Sequence, residues 1–346
     1  MKEIIIGANE ADKRLDSFLK SYLKEASGGF IYKMLRKKNI TLNGKKAEGT
    51  EKLKVGDSVK IFFADETLEK FRGTSGSKAG SDVSVSGNES GGKSKWATGG
   101  NIADYTKAYD KLGDLEVVYE DENILLVDKP AGVLTQKASN SDVSLNEWLI
   151  GYLLETGVVT GESLETYRPS VCNRLDRNTS GLVICAKSLT GARKMTELIR
   201  TRSVDKYYRT IVCGRLSEKV SLKGYLYKDE ARNRVEIKKD YPKDDRYSYI
   251  ETEYEPVEYI PDQDLTMLEV KLVTGKPHQI RAHLSSIGHP IIGDTKYGGK
   301  KVSGLKYQLL HSYRLVFPEG LEEPFDVLSG KEFTAKLPDI FNKFVK

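Results

Sequence analysis

Apolar side chains recur at helical spacing over residues 12–24, where Leu15, Phe18, Leu19, Tyr22 and Leu23 share one face. Phe30, Ile31, Met34 and Leu35 repeat the pattern just beyond. Both stretches predict short amphipathic helices, the second decorated with Lys33, Arg36, Lys37 and Lys38. The period then drops to two. Ile40-Thr41-Leu42 runs into an Asn43-Gly44 turn, and Val59, Ile61 and Phe63 alternate as a strand, so residues 1–64 read as helix, helix, hairpin. Over residues 73–100 about half of the positions are Gly or Ser, with few apolar residues besides Trp96. Such a stretch cannot build a core, and residues 65–104 are expected to be a flexible linker.

Order is expected to resume near Tyr105. Val117-Val118-Tyr119 and Ile124-Leu125-Leu126-Val127 flank an acidic, Asn-containing turn and predict a hairpin. Further strands are expected at residues 182–186, 208–212, 268–273 and 313–317. Helices are expected at 190–201, with Ala192, Met195, Leu198 and Ile199 on one side, and at 278–287, where Gly288 is a stop signal. Hairpins and helices interleave unevenly. The expected fold is therefore α+β, with residues 105–346 forming a domain whose mixed, largely antiparallel central sheet is flanked by helices.

Composition narrows the classes. The 346 residues, 38% hydrophobic and 30% charged, suffice for one sizeable core and a second domain. No apolar run approaches the roughly 20 residues of a membrane span, and the first residues lack a signal-peptide core, so a cytoplasmic protein without membrane partners is expected. Cys172, Cys185 and Cys213 are odd in number and sit in apolar runs, which suits reduced thiols. With four histidines and no metal-ligand spacing, neither a metal nor a cofactor is expected. The net charge of +5 is uneven: residues 1–63 hold 14 Lys and Arg against 8 Asp and Glu, an excess suited to phosphate.

The run Arg174-Leu175-Asp176-Arg177-Asn178-Thr179-Ser180-Gly181 brackets one aspartate with two arginines and continues in turn formers. Cationic neighbours favour an ionised carboxylate, able to act as a nucleophile or to stabilise positive charge. On this run alone, a salt-bridged turn is the better account.

Wider resemblance decides between them. Arg174-Leu175-Asp176 followed by Thr179-Ser180-Gly181-Leu182 resembles the signature of the RluA-type RNA pseudouridine synthases. Companion runs occur in that family's order: Leu126-Val127-Asp128-Lys129-Pro130-Ala131-Gly132-Val133, then Lys206-Tyr207-Tyr208, then Thr274-Gly275-Lys276-Pro277-His278-Gln279-Ile280-Arg281-Ala282-His283, and finally Gly293-Asp294 and Tyr297-Gly298. Residues 1–64 resemble the S4 RNA-binding domain, on Arg14-Leu15-Asp16, Leu42-Asn43-Gly44-Lys45 and Val55-Gly56-Asp57-Ser58-Val59. The two resemblances imply a cofactor-free isomerase, expected to be monomeric, that converts uridine to pseudouridine in ribosomal RNA of the large subunit, or in transfer RNA.

By that resemblance Asp176 is the catalytic aspartate, Tyr208 lies against the flipped base, and Arg281 pairs with Asp176. Arg174 fills the space the base vacates, Ile280 packs beside the base, and Lys276 and His278 are further substrate contacts. Lys33, Arg36, Lys37 and Lys38 are the RNA contacts of the S4 module. Spacing independently lets His278 and Arg281, three apart, face one pocket, although for His278 and His283 a buried structural role is favoured over a catalytic one. Asn173 stands where many members have histidine. Lys276 stands where the usual motif has arginine, keeping the charge but losing the bidentate fork. A silent RNA-binding protein of the same fold is the competing class, and the joint presence of Asp176, Tyr208 and Arg281 argues against it.

Overall fold

The computed structural model describes residues 1–7, 9–72, 102–229 and 234–344. In chain order its elements are β1 (Lys2–Ile5), α1 (Leu15–Tyr22), α2 (Gly28–Arg36), β2 (Ile40–Leu42), β3 (Lys45–Lys46), β4 (Ser58–Ile61), α3 (Asp65–Arg72) and α4 (Ile102–Leu112). Then come β5 (Val117–Glu120), β6 (Ile124–Lys129), α5 (Leu145–Glu155), β7 (Ser170–Val171), β8 (Ser180–Ala186), α6 (Leu189–Arg200), β9 (Asp205–Cys213), β10 (Val220–Asp229) and β11 (Arg234–Lys238). The chain ends through β12 (Ser248–Ile260), β13 (Leu265–Leu272), α7 (Gln279–Ser286), β14 (Leu310–Val316) and β15 (Glu332–Thr334). Two compact units result, Met1–Thr106 with Tyr152–Arg168, and Lys107–Gly151 with Pro169–Lys346. No helix among the described residues is long and apolar enough to cross a membrane.

In the first unit the expected helices form, and Leu15, Phe18, Leu19, Ile31 and Leu35 pack on Ile40, Val59 and Ile61 of the sheet β1-β4-β2-β3. Asn43 and Gly44 take φ of 50° and 72°, as a two-residue turn whose twist matches its strands requires, and Thr41 pairs with Lys46 across it. The basic run departs slightly from expectation. The helix ends at Arg36, Lys37 caps it, and Lys38, at φ 60°, already turns away. Asp16 accepts from Arg14 and from the Tyr32 hydroxyl (2.6 Å), and these bonds hold its carboxyl down at about 2.

The linker expectation fails at its edges. Residues 65–72 form α3, whose Leu68 is buried in this same core while Phe71 packs 4.4 Å from the Phe30 ring. Ile102–Leu112 is helical too, and residues 73–101 lie outside the described residues. Nor do residues 105–346 form one unit, because Tyr152–Arg168 joins the N-terminal one. Lys2 pairs with Glu162 at 2.6 Å, the Thr166 hydroxyl donates to Glu10 (2.5 Å), and Arg72 pairs with Glu165.

The second unit is built on one sheet in the order β11-β10-β12-β13-β9-β14-β8-β6-β5, with β15 added to β14 and β7 to β8. Among these strands only the β14–β8 pair is parallel, so the expected mixed, largely antiparallel sheet is what forms. Strand β8 is buried at every position, as its unbroken apolar run requires, whereas β9 alternates through much of its length. Strands β10, β11 and β12 go beyond those expected from the apolar pattern. In β12 the alternation is interrupted by Pro256, which sits at a register shift where its missing N–H is tolerated.

Register settles which face carries the site. Tyr208 of β9 pairs with Val270 of β13, which pairs with Tyr254 of β12, so these three side chains point the same way. Thr252, two positions from Tyr254, faces with them and meets α7 through Gln279 Nε2 (2.9 Å) and His283 Nδ1 (2.9 Å). Helix α7 therefore lies over the Tyr208 face.

Candidate active site

Asp176 sits on the loop between β7 and β8, and neighbouring backbone fixes that loop on both flanks. Before it, the Thr135 hydroxyl donates to Leu175 O (2.9 Å) and accepts from Leu175 N (3.2 Å). After it, Arg177 O accepts from Gly132 N (2.9 Å) and from Lys129 Nζ (3.2 Å). Asn173, at the position where many members of the resembled family have histidine, accepts from Ile184 N (2.7 Å) and so ties the loop to β8. The exit from the loop is equally constrained. Gly181 has φ +112°, and a Cβ there would lie 2.2 Å from Ser312 O, so only glycine lets β8 pair in parallel with β14.

Helix α7 brings the partner. Arg281 Nη1 donates to Asp176 Oδ2 at 3.0 Å, while its Nε and Nη2 donate to the two oxygens of Asp294 at 2.6 and 2.9 Å. His278 precedes the helix at φ 56°, an uncommon conformation for a non-glycine residue, and its Nε2 lies 3.9 Å from Asp176 Oδ2. Its Nδ1 pairs with the Tyr297 hydroxyl at 2.8 Å. The three-residue spacing thus brings His278 and Arg281 to one carboxylate. Burial lowers the imidazole pKa below its ordinary value, against the pull of Asp176, and keeps the ring neutral near pH 7.

Tyr208 is buried within electrostatic range of Asp176. Burial first, and the Asp176 charge second, push its phenol well above the ordinary range, with only the Ser312 hydroxyl opposing. Its resting form is the protonated phenol. Ile280 is buried at the start of α7, whereas the side chains of Arg174 and Lys276 are exposed. Lys33, Arg36, Lys37 and Lys38 are exposed on the other unit. His283 is a buried histidine bonded to Thr252, and burial lowers it to about 4.

Three residues of this network carry no role on sequence grounds, although each lies in a run that bears the resemblance. Lys129 is completely buried and donates to Pro130 O (3.0 Å), Val133 O (2.9 Å) and Arg177 O (3.2 Å). Burial draws its pKa down to about 7, with Asp176 and Asp128 pulling upward. Three carbonyl acceptors match the three N–H bonds of the ammonium, so the geometry fits the charged form. Asp294 is the second carboxylate on Arg281. Tyr297 places its ring 5.0 Å from the Arg281 guanidinium as well as bonding His278.

An ion-paired carboxylate on a pinned loop, beside a buried tyrosine, suits chemistry in which one aspartate engages a carbon centre. Residues 123–286 match the family model described as RNA pseudouridylate synthase. The chain is 31% identical over 348 residues to ribosomal large subunit pseudouridine synthase C of Rickettsia felis, across 96% of each protein.

The chain belongs to the RNA pseudouridine synthase family.

As a member of that family the synthase is an isomerase. It is also 25% identical over 354 residues to an uncharacterized RNA pseudouridine synthase of Mycoplasma genitalium, covering 99% of this chain and 98% of the relative. In fold the synthase is similar to human RNA pseudouridylate synthase domain containing 4, with a TM-score of 0.51 and 20% identity over 70% of this chain and 95% of that one.

Proposed function

We propose that the synthase converts uridine to pseudouridine in large-subunit ribosomal RNA, with Asp176 as its catalytic carboxylate. The observation that carries this reading is the Asp176–Arg281 pair on a pinned loop. The substrate class rests on the relatives named as ribosomal large subunit enzymes. Acting on that RNA, the enzyme would work in the cytoplasm as a monomer.

The reaction breaks the N1–C1′ bond, turns the uracil and joins C5 to C1′. The C5 proton is lost and N1 gains one, so no oxidant, reductant or cofactor is consumed. Asp176 would attack C1′ or C6, or take the C2′ proton on a glycal route. A stacked uridine is out of reach, so the base must be extruded. Tyr208 would lie against the extruded ring and Ile280 beside it. Its protonated phenol makes Tyr208 a contact surface before it is a base. Arg174, exposed on the same loop, would occupy the gap left in the RNA, with Lys276 and His278 completing the substrate contacts. Residues 1–64 would act as an S4-type module presenting Lys33, Arg36, Lys37 and Lys38 to phosphates.

Ribosomal RNA carrying tritium at uridine C5 tests this directly. Wild-type enzyme should release tritium and Asp176→Asn should not. Equal release from both would remove Asp176 from the chemistry, and release from transfer RNA alone would reassign the substrate.

A further inference from the structure

We infer that Asp294 is the positioning residue of the site, holding the Arg281 guanidinium by one edge so that Nη1 alone is delivered to Asp176. The inference rests on the assignment of Asp176 as the catalytic carboxylate. A guanidinium beside a single carboxylate favours a two-bond fork, which would engage both oxygens of that carboxylate. Here the Nε and Nη2 edge is already committed to Asp294, leaving Nη1 for Asp176 Oδ2 at 3.0 Å. Arg281 therefore orients Asp176 through one bond. That bond falls on Oδ2, so Oδ1 is the oxygen that would reach carbon or accept a proton.

Asp294 is built to hold this position. Its side chain is 1% exposed, and its backbone is fixed in a tight turn by Asp294 N donating to Ile291 O (3.1 Å) and Gly299 N donating to Asp294 O (2.8 Å). Gly299 admits no side chain there, since a Cβ would lie 1.9 Å from Ile291 O. Tyr297, from the same turn, sets its ring against the Arg281 guanidinium. The anchor thus comes from a segment 13 residues beyond Arg281, whereas Asp176 lies 105 residues before it. Two separately fixed carboxylates define the orientation of one guanidinium.

Steady-state and single-turnover pseudouridine formation in Asp294→Asn, Asp294→Glu, Arg281→Met and the Asp294→Asn/Arg281→Met double variant tests the inference, with Asp176→Asn in parallel. Asparagine offers one acceptor where two N–H groups need one each, so kcat should fall ~100-fold with little change in KM for RNA. In the Arg281→Met background the same change should add less than about two-fold, because residues acting through one another are not additive. Should Asp294→Asn be unstable, Asp294→Glu puts the question with the charge retained, and displacement of the carboxylate should again lower kcat. Wild-type rates in Asp294→Asn or Asp294→Glu, an effect confined to KM, or effects of Asp294→Asn and Arg281→Met that multiply, would each overturn the positioning role while leaving Asp176→Asn inactive. Full activity in Asp176→Asn would overturn the underlying assignment and this inference with it.

Discussion

Lys129 shows how a residue can matter to the site without touching it. Its ammonium gathers the carbonyls of Pro130, Val133 and Arg177, and the last of these adjoins Asp176. Replacement by methionine, similar in volume, would take this donor from the carbonyls of Pro130, Val133 and Arg177, the last of which keeps Gly132 N, and should lower stability by about 1–3 kcal/mol. Urea denaturation reads this directly, and tritium release should fall alongside it as the loop loosens. A loss below about 1 kcal/mol would mean the carbonyls find other donors. Such a role is not legible in the sequence: Asp176, Tyr208 and Arg281 stand out because their motif has an order, but Lys129 meets Arg177 across 48 residues. Asp294 is visible as half of Gly293-Asp294 and silent about its partner. Motifs name residues, while hydrogen bonds between distant segments give them work.

At the scale of elements, legibility follows the strength of local periodicity. Helices α1, α2 and α6, the turn after β2 and the buried strand β8 all form where apolar spacing places them. Strand β12 is hidden by Pro256 and its bulge, and α3 by a sequence whose apolar contribution is little more than Leu68 and Phe71. Helix α2 joins this scale to function. Its apolar face, Ile31, Met34 and Leu35, is buried, and its last turn and cap expose Lys33, Arg36, Lys37 and Lys38. Changing all four to glutamine spares the core and should leave the melting temperature and the rate at saturating RNA unchanged. RNA affinity should drop, and every phosphate deprived of its cation should reduce the slope of log K against log salt by about 0.7 to 0.9. An unaltered slope would exclude this helix from the RNA interface.

Over the whole molecule, buried histidines set the response to acid. His283 and His311 are 2% and 0% exposed, and burial lowers each to about 4 from an ordinary 6.5. As pH falls below 6.5 the unfolded chain takes up protons that the folded chain refuses, so stability declines until the folded pKa is passed near 4. Each group contributes up to about 3 kcal/mol to that decline. His278, shifted the same way, adds to it. Asp128 works in the opposite sense: burial raises it to about 6, so its protonation favours the folded state as pH drops from 6 toward 3.8 and recovers part of the loss. Three histidines against one carboxyl leave a net decline. Denaturation midpoints measured between pH 7.5 and 4.5 should therefore fall steadily. His283→Gln, which keeps a polar side chain but has no titrating proton, should make the profile shallower. A flat profile in the wild type would show that these imidazoles are protonated in the fold, and an unchanged slope in His283→Gln would assign the acid sensitivity to other groups.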